Sequence, residues 1–126
     1  YALVRPPGHH AMPDMAMGFC IFGNAAIAGL HALAKTDIQR IAYVDWDVHH
    51  GNGTQAAFYS NPNVLTMSVH QDRNFPTNTG LIEENGEDEG IGYNINIPLP
   101  PGSGVGVYEA TFERVIVPVP SSCGTS

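Results

Sequence analysis

The feature that most constrains the fold is an apolar run that leads directly into a cluster of acidic residues and histidines. Residues 41–44 are continuously apolar, and a segment rich in Asp and His, residues 45–51, follows them without a break. An uninterrupted apolar run of this length is typical of a parallel strand that is covered on both faces. The polar cluster is therefore expected at the carboxyl end of a strand, where open α/β sheets bind their ligands.

Helical and extended patterns alternate around that strand. Helices are predicted over residues 24–35, 55–59 and 107–117, with Thr54 as an N-terminal cap, and further strands over 64–69 and 93–97. This order predicts an α/β fold with a parallel sheet flanked by helices. A sheet of three or four strands would leave edges uncovered, so we expect an incomplete sheet. The long connection over 71–92 is predicted to be functional.

Composition narrows the function classes. The chain is 43% hydrophobic and 13% charged, which suits one compact domain or a piece of one. Its net charge of −7 argues against a nucleic-acid partner, and no apolar run is long enough to span a membrane. Cys20 and Cys123 are too far apart for a zinc-ribbon pair, which favours a reducing, cytoplasmic location. The oligomeric state is open.

Three polar side chains after the 41–44 run have the spacing of a metal half-site. In an extended segment Asp45, Asp47 and His49 point to one side, so two carboxylates and an imidazole can converge. Taken alone, a strand-end Asp that caps the next turn is an equally good interpretation. The sequence that follows, His50 to Gln55, favours the metal site.

A second constellation is the adjacent pair His9 and His10, which follows Arg5-Pro6-Pro7-Gly8. Prolines stiffen the segment and Gly8 permits a tight turn. Two neighbouring imidazoles on such an arm favour a functional role over a surface role. A metal ion together with two histidines can activate water, because the metal lowers the pKa of bound water and an imidazole takes the proton.

Five segments together resemble the zinc-dependent histone deacetylase and acetylpolyamine amidohydrolase family, in particular its class II-like and bacterial members. These segments are residues 5–11, 18–22, 44–55, 68–70 and 92–100, in the family's order. The resemblance covers about residues 1–117, which we interpret as part of a catalytic domain. Residues 118–126 are interpreted as a divergent tail.

The resemblance implies the arginase/deacetylase-type fold and removal of acetyl groups from acetyl-lysine peptides or acetylpolyamines. It also implies two metals, zinc and a structural potassium. Asp47 and His49 match two of the three zinc ligands, and Asp45 and Ser68 match the potassium site. The family's third zinc ligand, a later Asp, has no counterpart in this sequence, and neither has the late Tyr or His that stabilises the oxyanion.

The same resemblance assigns roles to the two histidines. His10 matches the general base that later acts as an acid. His9 matches its electrostatic partner, whose imidazole is oriented by Asp45. Asn52 stands at the position that orients His10, where it can hold a tautomer without adding negative charge.

Substrate recognition is assigned to aromatic residues. Phe19, next to Gly18, and Phe75 correspond to the walls of a narrow acyl-lysine tunnel, with core packing as the alternative for both phenylalanines. His50 and His70 are expected to pack behind the site, and His31 to be an ordinary helix residue. The acidic loop with Glu83, Glu84, Glu87, Asp88 and Glu89 could attract a cationic substrate or be a solvated surface.

Three functions stay open on these grounds. The first is a zinc deacetylase in the parent enzyme, with this chain itself inactive. The second is a metal ureohydrolase on the same fold, which is disfavoured because Gly51 stands where a two-metal site wants a carboxylate. The third is a truncated, non-catalytic chain that retains the fold.

Overall fold

The structure, a computed structural model, describes residues 1–119. Its helices are α1 (Asn24–Lys35), α2 (Asn52–Phe58) and α3 (Val105–Thr111), and its strands are β1 (Ile41–Asp45), β2 (Val64–Gln71) and β3 (Asn94–Leu99). A 3-10 turn covers Asp88–Gly90, and α3 continues into a π-helical turn, Phe112–Ile116.

The strands form one parallel sheet in the order β1-β2-β3. The predicted α/β class with flanking helices is therefore confirmed. The register places Asp45 opposite Ser68, and Ser68 opposite Asn96. Polar side chains from three strands thus form a row near the carboxyl end of the sheet, where the apolar run over 41–44 ends in its polar cluster.

The central strand β2 separates an apolar layer from a polar one. Leu65, Met67 and Val69 are buried in the main core together with Leu99 and Ile116. The alternate positions of β2 begin with Val64, which packs with Ala26 and Phe58, and continue with Thr66, Ser68 and His70, all buried. Since alternate side chains of a strand point to opposite faces, β2 places buried polar groups on the face away from α3.

Three local predictions were wrong. Helix α2 begins at Asn52 rather than at residue 55, and Thr54 lies inside it instead of capping it. Strand β3 continues through Pro98, which is tolerated because β3 is an edge strand of the described sheet. Helix α3 begins at Val105 rather than at residue 107, while helix α1 has the predicted bounds.

The proposed tail lies largely outside the described residues, since 120–126 are not among them. Within residues 1–119, no helix combines the length and the apolar character that crossing a membrane requires.

Candidate active site

The turn after β1 is folded by its own carboxylates. Asp45 Oδ1 accepts a hydrogen bond from the Asp47 N–H at 3.0 Å, and Asp47 Oδ1 accepts one from the His49 N–H at 2.8 Å. Such side-chain-to-backbone bonds are typical of Asx turns. Asp45 therefore does cap a turn, as the plainer interpretation of the sequence proposed, but its other oxygen faces His9.

The segment that bears the two neighbouring histidines is fixed at His9 by backbone contacts to helix α2. The carbonyl of His9 accepts hydrogen bonds from the N–H groups of Gly53 at 2.9 Å and Thr54 at 3.3 Å. A side chain at Gly53 would collide with the backbone of His9 and Ala11, so this close approach requires glycine. The first turn of α2 thus donates two of its otherwise unpaired N–H groups to the histidine segment.

His9 and Asp45 form a partly buried pair. His9 Nδ1 lies 2.7 Å from Asp45 Oδ2, and His9 Nε2 lies 4.0 Å from Asp47 Oδ1. Burial alone would lower the pKa of His9, but the hydrogen bond to Asp45 and the charges of Asp45 and Asp47 outweigh it and raise the pKa above its ordinary value. His9 therefore tends to hold its proton.

His10 has the opposite electrostatics. Its Nδ1 lies 2.8 Å from Asn52 Oδ1. Burial lowers the pKa of His10 and outweighs the upward effect of the Asn52 hydrogen bond, and the charges of His9 and His49 lower the pKa further. Because an amide oxygen only accepts, Nδ1 carries the proton of the neutral ring and Nε2 is left as a free base. The pKa values of the two histidines are thus pushed apart.

A cavity of about 570 Å³ opens in front of these groups. It is lined by Pro7, His9, His10, Gly18, Phe19, Asp47, His49 and Phe75. The Phe75 ring packs edge-on against His10, with ring centroids 5.1 Å apart, and lies 6.2 Å from His49. Phe19 is 98% exposed, so core packing does not explain it in the described residues. The cavity is apolar at its walls and polar at its base.

Gly18 lies directly under the His10 ring. It has a φ of +54°, and an added Cβ would lie 2.7 Å from His10 Cγ and closer still to Cδ2. Phe19 also has a positive φ, +61°, which is uncommon for a bulky residue. Buried Cys20 holds this turn, since its Sγ accepts a hydrogen bond from the Gly8 N–H at 3.1 Å and donates one to the Gly18 carbonyl at 3.4 Å.

Asp47 and His49 have the spacing of two ligands on one zinc ion. Asp47 Oδ1 lies 3.1 Å from His49 Nδ1, and both side chains are about half-exposed to the cavity. Two tetrahedral ligands at ordinary zinc distances, about 2.0–2.2 Å, are about 3.3–3.5 Å apart, so this donor pair fits zinc. In residues 1–119, however, no three His, Cys, Asp or Glu side chains are grouped as a complete metal site.

The residues predicted to hold potassium are neighbours across two strands. Asp45 and Ser68 are register partners, and Ser68 Oγ also lies 2.9 Å from His70 Nδ1. Both oxygen-bearing residues therefore lie at one end of the sheet. Their binding of potassium stays a prediction.

A polar network that the sequence reasoning missed lies behind the site. Gln55 Oε1 lies within 3.0 Å of donors on His50, Asn94 and Asn96, and Gln55 Nε2 donates to Glu84 Oε2 at 2.6 Å. The signal that could have revealed it is the alternation over residues 93–97, where the positions that face inward are amides rather than apolar residues.

Of the three other histidines, two are buried behind the site and one is an exposed helix residue. His50 and His70 are buried, with ring centroids 4.8 Å apart. Burial and the neighbouring His70 lower the pKa of His50 to about 4, and burial likewise lowers the pKa of His70. His31 lies exposed on α1, away from the cavity.

Comparison with known proteins places this chain in a family. The family model "Histone deacetylase domain" matches residues 1–122. The chain belongs to the histone deacetylase family. A histone deacetylase-like amidohydrolase of Pseudomonas aeruginosa is 51% identical over 118 residues, and the chloroplastic histone deacetylase 14 of Arabidopsis thaliana is 50% identical over 118 residues.

Solved structures that are similar to this chain have the same fold. The crystal structure of the HDA15 HD domain matches with a TM-score of 0.90 and 46% identity over 94% of this chain. The crystal structure of an acetylpolyamine aminohydrolase from Burkholderia pseudomallei matches with a TM-score of 0.80 and 45% identity over 92% of this chain. The chain spans 31% of the length of the Pseudomonas relative and 35% of the HDA15 domain chain, or about a third of either.

Proposed function

We propose that this chain carries the proton-transfer half of a zinc-dependent deacetylase site, which removes acetyl groups from acetyl-lysine peptides or acetylpolyamines. The observation that carries the proposal is the convergence of His9, His10, Asp47 and His49 on one cavity. Membership of the histone deacetylase family supports an acyl-amide substrate. Zinc, when bound, supplies Lewis-acid activation of water and of the substrate carbonyl.

His10 is proposed as the general base and acid. Its Nδ1 is occupied by Asn52, so its free Nε2 can take a proton from water and later deliver it to the leaving amine. The lowered pKa keeps the ring neutral before reaction. The hydrogen bond to Asp45 favours the protonated form of His9, whose ring centroid lies 4.0 Å from that of His10, and a positive charge there disfavours premature protonation of the base.

Asp47 and His49 are proposed as two of the zinc ligands. A catalytic zinc needs about three protein ligands, so the third comes from outside residues 1–119. Accordingly, we expect the 126-residue chain alone to bind zinc weakly and to show no turnover. We propose that activity belongs to a longer protein that contains this chain and supplies the third ligand; that form is called the complete protein below. Oxygens of Asp45 and Ser68 are proposed for potassium, which would fix the turn that bears both zinc ligands.

Phe19 and Phe75 are proposed as the walls that contact the aliphatic stem of the substrate. A chain of methylene groups is apolar, so aromatic walls favour it while its acyl end reaches the polar base of the cavity. This stem is shared by acetyl-lysine and acetylpolyamines. We place the protein in the cytoplasm, where its thiols stay reduced.

The test is metal content and turnover of the complete protein, compared with the Asp47→Ala variant. We expect near-stoichiometric zinc and acetate release in the unaltered protein, and loss of both in the variant, because Asp47 would be a ligand. Zinc is measured by mass spectrometry on the purified protein. If Asp47→Ala keeps its zinc and its rate, the ligand assignment is wrong.

A further inference from the structure

The loop between β2 and β3 carries one wall of the cavity and is fixed at its two ends. At its start, the N–H groups of Gln71 and Asp72 donate to the carbonyls of Val48 and Leu99 at 2.9 and 2.8 Å. Phe75 follows and packs against His10. The returning limb, residues 79–84, then passes beneath the site, so the position of the wall depends on how that limb is held.

Side chains hold the returning limb. Glu84 Oε2 accepts hydrogen bonds from Gln55 Nε2 at 2.6 Å and from the Gly80 N–H at 3.1 Å, and Glu84 Oε1 accepts one from the Leu81 N–H at 3.3 Å. Partial burial would raise the pKa of Glu84, but these three hydrogen bonds, together with the charge of His50, lower it below its usual value. The ionised Glu84 carboxylate therefore holds the limb in place through these hydrogen bonds.

Gln55 can offer Glu84 only its amide N–H. Its oxygen already faces donors on His50, Asn94 and Asn96, so the amide group has one orientation that satisfies all its neighbours. Gln55 belongs to α2, the helix whose first turn holds the His9 carbonyl. The Glu84–Gln55 hydrogen bond thus joins the limb of the Phe75 loop to the element that fixes the two neighbouring histidines.

The limb is also tied to His50 and to strands β2 and β3 at points near Glu84. Thr79 Oγ1 lies 2.9 Å from His50 Nδ1, and the Gly80 carbonyl accepts a hydrogen bond from His70 Nε2 at 3.0 Å. The Leu81 carbonyl accepts one from Asn96 Nδ2 at 3.2 Å. These contacts leave Glu84 as the charged member of the network, and ionised acceptors make the stronger hydrogen bonds.

We propose that Glu84 is a positioning residue for substrate binding, which acts through Gln55 and the 79–84 limb to hold Phe75 at the distance from His10 that fits an aliphatic stem. The inference rests on the proposed function, because it assigns Phe75 to the substrate wall. Glu84 does not line the cavity that holds the proposed base and zinc ligands. Its loss should therefore weaken substrate binding and leave the proton-transfer step intact.

The test compares Glu84→Ala with Glu83→Ala in the complete zinc-loaded protein. Glu83 is the exposed neighbour, so its variant removes the same charge and leaves the hydrogen bonds of Glu84 in place. For an acetyl-lysine peptide we expect Glu84→Ala to raise KM about tenfold with kcat within about twofold, the size of a typical coupling between contacting groups. Glu84→Gln, which keeps one carbonyl oxygen for Gln55 and Gly80, should raise KM only about threefold by the same reasoning.

A double-variant cycle with Phe75→Ala shows whether Glu84 acts through the wall. We expect the KM of the double variant to equal that of Phe75→Ala alone, since a wall that is gone cannot be misplaced. The inference is overturned if the effects of the two substitutions on KM multiply in the double variant. It is also overturned if the KM of Glu84→Ala is no higher than that of Glu83→Ala, or if Glu84→Ala lowers kcat and kcat/KM equally. A zinc-loaded unaltered protein without turnover would instead refute the proposed function.

Discussion

Replacement of Gly18 by alanine is the sharpest perturbation of the proposed base, because one methyl group would occupy the space of the His10 ring. The added Cβ would lie 2.7 Å from His10 Cγ and 2.9 Å from His10 Cβ, well inside ordinary contact. The ring would have to move by several tenths of an ångström or more. That movement would loosen the 2.8 Å contact between His10 Nδ1 and Asn52 Oδ1.

Two separate costs follow from Gly18→Ala. The φ of +54° disfavours alanine by about 1–2 kcal/mol of folding free energy. Misplacing a catalytic group by about 1 Å costs about 100-fold in rate, within the 10²–10⁴ that a general base contributes. We therefore expect kcat to fall about 100-fold while zinc stays bound, because the proposed ligands Asp47 and His49 are not displaced.

Matched glycines separate strain from displacement. Gly92 has a φ of +87° with no heavy atom within 4 Å of an added Cβ, so Gly92→Ala should cost a similar 1–2 kcal/mol and leave kcat unchanged. Gly23→Ala meets the Ala26 Cβ at 3.5 Å, an ordinary contact, and should change neither quantity. Denaturant unfolding and acetyl-lysine peptide kinetics on the complete protein measure the two effects. If Gly18→Ala turns over at the rate of Gly92→Ala, the proposed link between Gly18 and the His10 base is refuted.

Three further outcomes are expected. Phe19→Gly should raise KM because an aromatic wall is lost, yet stabilise folding by up to about 1 kcal/mol because a φ of +61° suits glycine. Peptide kinetics measure the first effect and denaturant unfolding measures the second. A fall in stability would contradict the argument that Phe19 is strained. Asn52→Ala should lower kcat about 10–100-fold with zinc retained, because Nδ1 of His10 loses its acceptor; unchanged kcat would show that the tautomer is not held there. The free energy of unfolding should fall by up to about 3 kcal/mol as the pH drops from about 6.5 to about 4, because His50, with a folded-state pKa of about 4, takes up its proton first in the unfolded chain. The His50→Gln variant should show a smaller dependence of this free energy on pH. An unchanged pH dependence in that variant would assign the effect to other groups.

The fold class could be predicted because one pattern is local. A short apolar run that ends in polar residues indicates a parallel strand and its ligand-binding end, and β1 ends at Asp45. The bounds of α2 could not be predicted in the same way. Its start at Asn52 depends on donating backbone N–H groups to the His9 carbonyl, a contact with a segment about 40 residues earlier.

The predicted site residues are grouped as the motifs indicated. His9, His10, Asp47 and His49 face one cavity, with Asp45 and Asn52 behind the histidines. The Gln55–Glu84 contact could not be predicted from the sequence, because it depends on how the 13 residues after Gln71 fold back under α2. In the sequence Glu84 is one of several acidic loop residues, and only its hydrogen bonds in the structure distinguish it from the others.

The proposed role of His10 is tested most directly by acetate release from an acetyl-lysine peptide by the complete zinc-loaded protein and its His10→Ala variant. Loss of the base should reduce kcat by about 100-fold or more while zinc content stays equal to that of the unaltered protein. Near-normal acetate release by His10→Ala, at equal zinc content, would contradict the assignment of the base and with it the proposed deacetylase mechanism.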